Sequence, residues 1–337
     1  MRRPAAVNGI GHLAGLLDRF TAAEVVVVGD FMADEWIYGE TERISREAPV
    51  LIVRYERSEL KAGGAGNAAQ NLAALGVKVR AVGVVGDDSL GAALLDTLAA
   101  VDIDVGGIVK VRGRATESKT RILAGGRSTR RQQMLRVDRA PEAPLTPTAE
   151  ARVARELQRA ARGARAVLAS DYGSGSIVPP ALDVLRALEK GGLPVCVDSR
   201  YRLVHYTGLT MVKPNEVELE AASGMRVDGP AALERAGRTV LRKVGCAELL
   251  VTRGRHGMAL FRKGQPTVHI APHGAQEAVD VTGAGDTVAA AYTAAIAAGA
   301  DAESAARLAN VAGALKVQKA GTATVSRAEL EAELLKG

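Results

Sequence analysis

The segment Asp280-Val281-Thr282-Gly283-Ala284-Gly285-Asp286-Thr287 carries the densest chemistry in the chain. It runs into an Ala-rich stretch, Val288–Gly299, that reads as a helix. Glycines at the start of a helix let the backbone approach a ligand closely, and the free amides there attract negative charge. Asp286 stands beside that anion hole, where it can accept a proton from a hydroxyl. A general base next to an anion hole is what phosphoryl transfer requires. The same residues also read as a tight turn followed by a capped helix, with Asp286 a first-turn partner of the dipole.

A second glycine cluster, Lys61-Ala62-Gly63-Gly64-Ala65-Gly66-Asn67, precedes another short Ala-rich helix. It offers bare amides and one side-chain amide, which suit sugar hydroxyls. Gly64-x-Gly66-x-x-Ala69 also fits a dinucleotide fingerprint loosely, although Glu56–Lys61 is polar where that motif wants a buried strand. Asn215-Glu216-Val217-Glu218 follows an apolar run and opens a helix. It can serve as an N-cap with acidic first-turn residues, or hold the waters of a Mg²⁺ ion. Thr252-Arg253-Gly254-Arg255-His256-Gly257 is a glycine turn after a buried strand, suited to nucleotide phosphates or to a plain hairpin. Arg127, Arg130, Arg131, Arg136 and Arg139 crowd one stretch, where one or two could clamp a phosphate. No aromatic residue lies between them, which argues against nucleic acid. The chain has no Gly-Lys dipeptide, hence no Walker A lysine, and no Gly-x-Ser-x-Gly elbow.

The elements that must position these groups alternate. Val25–Val28 is an apolar run ended by Gly29-Asp30, as expected of a buried parallel strand. Strand-like runs recur at Val77–Val85, Ala166–Ala169, Val195–Val197, Met211–Val212 and Leu249–Thr252, with helical stretches between several of them. Most of these runs end in a polar or glycine-bearing loop, where doubly wound sheets bind ligands. Residues 33–62 and 107–138 break the rhythm and predict a small second sheet over the first.

Composition fits this α/β reading. The 337 residues are 47% hydrophobic and 24% charged, but only 3% aromatic, so the core must be aliphatic. The net charge of +6 suits phosphorylated small molecules without requiring them. Cys196 and Cys246 are isolated and predict free thiols in a reducing compartment. The five histidines show no metal-ligand spacing, and no apolar stretch is long enough to span a membrane. A cytoplasmic location is therefore expected, with no membrane or nucleic-acid partner.

Taken together, the Gly63-Gly64 region with Asn67, the Asn215-x-x-Glu218 motif and Asp280–Asp286 resemble the ribokinase-like (PfkB) carbohydrate kinases, from about Val25 to Val325. Within that family the chain most resembles the D-glycero-β-D-manno-heptose-7-phosphate kinases. That likeness rests on Val28–Asp34, Arg43–Val50, Lys119-Thr120-Arg121, Arg131–Asp138 and Ser170-Asp171-Tyr172. One departure is Asp198-Ser199-Arg200, where that group usually has Asp-Pro-Lys.

The resemblance implies a three-layer α/β/α core with a mainly parallel, doubly wound sheet in one kinase domain, and a β-lid that pairs two copies into a homodimer. It implies Asp286 as base, with Gly283, Ala284 and Gly285 holding the transferring phosphoryl group. Asp30, Asp34, Gly63, Gly64, Asn67, Lys119, Arg121, Arg131, Gln133 and Asp171 would face the sugar or its phosphate. Asn215 and Glu218 would serve MgATP, Glu218 reaching Mg²⁺ through water, while Thr252, Gly254, Gly257 and Asn310 would line the nucleotide. A monovalent cation such as K⁺ is implied near Asp280 and Thr282. Any nucleotidyl transfer would fall to a separate protein. The readings left open are a kinase for another sugar or a nucleoside, an NAD-binding enzyme built on Gly64–Ala69, and a catalytically silent sugar-phosphate sensor.

Overall fold

The computed structural model describes residues 13–126, 131–274 and 277–336. Its organising element is β1 (Glu24–Gly29), whose Val25–Val28 are all fully buried. A strand buried on both faces must be apolar at every position, which is why the run does not alternate. Val25 and Val27 enter one hydrophobic core and Val26 and Val28 the other, so the sheet divides two helical layers.

After Asp30 the chain leaves the large sheet and enters β2 (Phe31–Ile44), which turns back as β3 (Leu51–Gly64) and leads straight into α2 (Ala65–Ala74). An earlier helical turn, α1, covers Ala14–Leu17. The large sheet resumes with β4 (Lys78–Gly86), α3 (Ser89–Ala99) and β5 (Ile103–Val111). The small sheet is completed by β6 (Ser118–Gly125) and β7 (Gln132–Arg139). Then follow α4 (Pro147–Ala160), β8 (Ala166–Asp171), α5 (Pro179–Lys190), β9 (Val195–Ser199), β10 (Met211–Val212), α6 (Glu216–Ser223), α7 (Pro230–Val244) and β11 (Glu248–Thr252). The last elements are β12 (Met258–Arg262), β13 (Val268–Ile270), α8 (Ala284–Ala297), α9 (Ala302–Val317) and α10 (Arg327–Leu334).

The nine-stranded sheet has the order β13-β12-β11-β10-β9-β8-β1-β4-β5. Its pairs are parallel except for β11–β12 and β12–β13. The four-stranded sheet has the order β3-β2-β6-β7. Helices α2, α3, α8, α9 and α10 pack in one core, and α4, α5, α6 and α7 in the other. The three-layer α/β/α arrangement and the additional small sheet agree with the sequence reading. One boundary does not. Ile108–Val111 was expected in the small sheet but lies in β5, paired with Gly83–Gly86 of the large one. A β-prone run between glycines says nothing about which sheet it joins; Val109 is buried in the core beneath α4 and so belongs to the large sheet.

Both cysteines are free and buried. Burial pushes the Cys246 thiol up to about 12, so it is an inert packing residue. Among the described residues, no helix is long and apolar enough to cross a membrane.

Candidate active site

Asp30, Asp171, Asp198 and Lys213 all lie at the C-terminal ends of parallel strands or just beyond them, the edge where such sheets bind ligands. Facing that edge is the N-terminus of α8. Its N-cap is Gly283, held at φ 77°, and Asp286 lies in its first turn. The Ala284 N–H closes the turn onto the Val281 carbonyl at 3.2 Å. The first-turn amides of Gly285 and Asp286 therefore remain as the donors for an anion. Of the three residues expected to cradle the phosphoryl group, Ala284 thus contributes shape rather than a free N–H.

Asp286 is only 6% exposed. The Asn67 amide donates to its Oδ2 at 2.6 Å, and the Tyr172 hydroxyl donates to its Oδ1 at 2.7 Å. Burial, reinforced by the negative charge of Asp198, raises the Asp286 pKa to about 6 against those two hydrogen bonds and Lys213. Tyr172 is pushed well above the usual phenol value by burial and by Asp286, so it stays protonated and keeps donating. Behind Gly285 sits the buried Lys213–Asp198 pair, 3.0 Å apart. Burial works against the Lys213 charge, but Asp198, Glu218 and Asp286 outweigh it and the pKa rises. A fixed positive charge therefore lies beneath the anion hole.

Two clefts meet here. The larger, about 670 Å³, is lined by Asn215, Glu218, Thr252, Gly254, Gly257 and Asn310, all expected at the nucleotide. The smaller, about 480 Å³, is lined by Asp34, Gly63, Gly64, Asn67, Lys119 and Arg121, all expected at the sugar. Gly283, Asp286, Tyr172 and Arg200 line both. The base and anion hole thus stand where the two clefts join.

Asn215 and Glu218 form a capping box: the Glu218 N–H donates to Asn215 Oδ1 and the Asn215 N–H to Glu218 Oε2. That leaves Oε1 of Glu218 for a further partner. The Glu218 pKa is raised, burial outweighing Lys213. Among the described residues no group of three or more His, Cys, Asp or Glu could hold a metal on its own. This donor set fits Mg²⁺, which keeps its waters and takes most of its remaining ligands from phosphates.

Four sequence-predicted residues are placed elsewhere. The buried Asp30 carboxylate accepts the N–H groups of Tyr172, Ser174 and Ser176 at 2.8, 3.0 and 2.8 Å. It organises a loop instead of holding a sugar. Asp171 touches the larger cleft but spends its oxygens on Ser199, Arg202, Tyr206 and the Gly173 N–H. Arg131 is exposed and paired with Glu56, and Gln133 is exposed on β7; neither lines a cleft. Arg127 and Arg130 lie outside the described residues.

Sequence reasoning assigned no role to Tyr172, Lys213, Asp138, Arg200 or Tyr201, and took Arg136 only as one of five arginines that could clamp a phosphate; all six line the clefts. The available signal for Tyr172 was its position one residue past a buried strand. For Arg136 and Asp138 it was their spacing of two, which puts them on one face of β7 opposite the exposed Leu135 and Val137. The Gly64–Ala69 fingerprint fails for a structural reason: the strand before it is antiparallel β3 of the small sheet, not a parallel strand of a βαβ unit.

Comparison with known proteins settles the class. The profile of the pfkB family of carbohydrate kinases matches residues 22–329, most of the chain. The chain belongs to the pfkB family. It is therefore a phosphotransferase acting on an alcohol group of a sugar. Proteins named bifunctional protein HldE are 42% identical in Trichlorobacter lovleyi and in Geobacter sulfurreducens, covering 94% and 93% of this kinase. The kinase spans 63% of the length of each. The fold also matches ribokinase of Arabidopsis thaliana, solved with ribose and ATP, at TM-score 0.71 and 23% identity over 93% of this chain and 98% of that one. Phosphofructokinase-2 of Escherichia coli, solved with potassium, matches at TM-score 0.75 and 19% identity over the same shares.

The elevated Asp286 pKa makes a prediction. The base must be ionised to accept a proton, so activity belongs above its pKa and is lost as pH falls through it. We expect kcat/KM for the sugar to drop with a one-proton slope below about pH 6. Because the folded state holds that proton more tightly than an unfolded carboxylate, the same group makes the fold less stable as pH rises toward 6. A flat rate profile down to pH 5 would remove Asp286 from the proton-transfer step.

Proposed function

We propose that this kinase transfers the γ-phosphoryl group of ATP to the anomeric 1-hydroxyl of D-glycero-D-manno-heptose 7-phosphate. The product is the 1,7-bisphosphate, a precursor on the route to ADP-heptose and the lipopolysaccharide core. The observation that carries the reading is the charge in the smaller cleft. Lys119, Arg121, Arg136 and Arg200 all line it beside Asp34, Glu117, Asp138 and Asp286, and four cationic groups offer more phosphate donors than an unphosphorylated sugar needs. Arg121 is anchored by Asp34 at 2.8 Å and Arg136 by a bidentate bond to Asp138, so both present fixed guanidinium faces. The similarity to HldE proteins and to heptose-phosphate kinases supports the same substrate.

In this reading Asp34, Gly63, Gly64 and Asn67 orient the sugar, and Lys119, Arg121 and Arg136 hold the 7-phosphate. Asp286 removes the hydroxyl proton as the oxygen attacks phosphorus and ADP departs. The charge passes over the Gly285 and Asp286 amides, backed by Lys213, with Arg200 reaching in from the mouth shared by the clefts. Mg²⁺, held through water by Glu218, would offset the charge of the triphosphate. The small sheet acts as a lid that excludes water. Ile44, Val50, Leu51, Tyr55, Leu135 and Val137 are exposed on it, and we take this face as the contact of a cytoplasmic homodimer.

The test is an ADP-release screen over heptose 7-phosphate, fructose 6-phosphate, ribose, fructose and adenosine. Heptose 7-phosphate should give the highest kcat/KM. Faster turnover of ribose, fructose or adenosine would discard the assignment.

A further inference from the structure

The family resemblance puts a dissociable monovalent cation beside Asp280 and Thr282. The residues present there do not suit one. Both carboxylate oxygens of Asp280 are already committed: Oδ1 accepts the Thr282 N–H at 2.9 Å and Oδ2 the Gly321 N–H at 2.7 Å. The N–H groups of Val279 and Asp280 donate to the Val317 carbonyl at 2.8 and 3.1 Å. The loop that carries the anion hole is thereby laced to the loop that follows α9.

Between these loops lies the side chain of Lys316, in the last turn of α9 and 0% exposed. Its Nζ donates to the carbonyl oxygens of Asp280 at 3.4 Å and Lys319 at 3.2 Å. Its Cε lies 3.8 Å from where a Cβ on Gly283 would stand. Of the other cations nearby, Lys319 is turned away onto Glu329 and the Thr324 carbonyl, and Lys61 Nζ lies 3.7 Å from where a Cβ on Gly321 would stand. Burial draws the Lys316 pKa below the ordinary lysine range, while Asp280 favours the charged form. A buried ammonium held by two carbonyl oxygens and beside a carboxylate supplies the same single positive charge as a bound potassium ion. A second cation here would meet like-charge repulsion and carbonyls already in use.

We propose that Lys316 is a tethered cation that takes the place of the monovalent metal at the anion-hole loop, so that this kinase needs no potassium. Lys316 is a positioning residue: it touches neither substrate, and it braces Asp280 and Gly283 behind the amides that meet the phosphoryl group. The charge is covalently attached, so the loop is held in one geometry whatever the ionic composition around it.

The experiment compares the wild-type enzyme with Lys316→Met, which keeps the length and apolar volume of the side chain. Potassium chloride is titrated against tetramethylammonium chloride at constant ionic strength, reading both kcat and the thermal midpoint. For the wild type, both should be indifferent to potassium, with kcat changing less than about twofold, the scale of ordinary salt effects on exposed charges. Lys316→Met should lose about tenfold or more in kcat, toward the range for a weakened anion hole. Potassium or ammonium should restore part of that loss, and its midpoint should rise with potassium. Strong activation of the wild type by potassium would overturn the proposal. So would a variant at full rate without potassium, or one that potassium cannot rescue. If the variant does not fold, the wild-type titration decides the question alone. The thermal arm needs no substrate, so an error in the sugar assignment leaves this test intact.

Discussion

Asp286→Asn should lower kcat about a hundredfold or more while leaving nucleotide affinity nearly unchanged, the loss expected when a general base is removed. The carboxylate sits where the two clefts meet, and among the described residues lining both it is the only carboxylate. Asparagine has the same shape but cannot take a proton at any working pH. The expected signature is a fall in kcat/KM as large as the fall in kcat, because the interaction is made in the transition state rather than in the ground state. Steady-state ADP release checks the rate, and a nucleotide titration of the variant checks that the larger cleft is intact. A variant that keeps more than a tenth of its turnover would mean that water or another group takes the proton.

Gly283→Ala should be nearly as damaging, although it adds one methyl group and removes no functional atom. Gly283 has φ 77°, where a side chain costs about 1–2 kcal/mol. A Cβ there would also lie 2.7 Å from Asn67 Nδ2. That nitrogen donates to Asp286, and Asn71 Nδ2 donates in turn to the Asn67 side-chain oxygen at 3.3 Å and to its main-chain oxygen at 2.9 Å. Asn67 therefore cannot move aside without releasing the base. Displacing a reacting group by about 1 Å can cost around a hundredfold, and we expect a loss in kcat of that order with a lower thermal midpoint. If the variant is destabilised but turns over normally once folded, the Asn67–Asp286 contact has no part in the rate.

The core of this site is legible in the sequence because one short segment builds it. Asp280–Thr287 holds turn, anion hole and base together, and local chemistry dictates all three. Asn215 and Glu218 are readable for the same reason, as a capping box is a contact between neighbours. What the sequence hides is assembled from a distance. Tyr172 reaches Asp286 across 114 positions and Asn67 across 219. Asp30 and Asp171 look like ligands, since acids at the ends of buried strands so often are. Only the fold reveals that backbone amides and Arg202 have already claimed them. On β7, Arg136 and Asp138 share a face and line the cleft, whereas Arg131, just before the strand, pairs with Glu56. A cluster of arginines carries no marker of which members face inward. The main sheet was easier, because a Val-rich run buried on both faces has few alternatives, whereas Ile108–Val111 suits either sheet equally well.

Asp30 has one more consequence. It lies at the root of β2, where the chain crosses from the large sheet to the small one, and its main-chain oxygen takes the N–H of Ala65, where β3 returns. Its carboxylate grips the amide of Tyr172, and the phenol of Tyr172 grips Asp286. In the proposed lid reading, the root of the small sheet is linked to the base through a single tyrosine. On that reading, shutting out solvent and aiming the carboxylate would be one movement, which would leave little chance to hydrolyse ATP with the cover open.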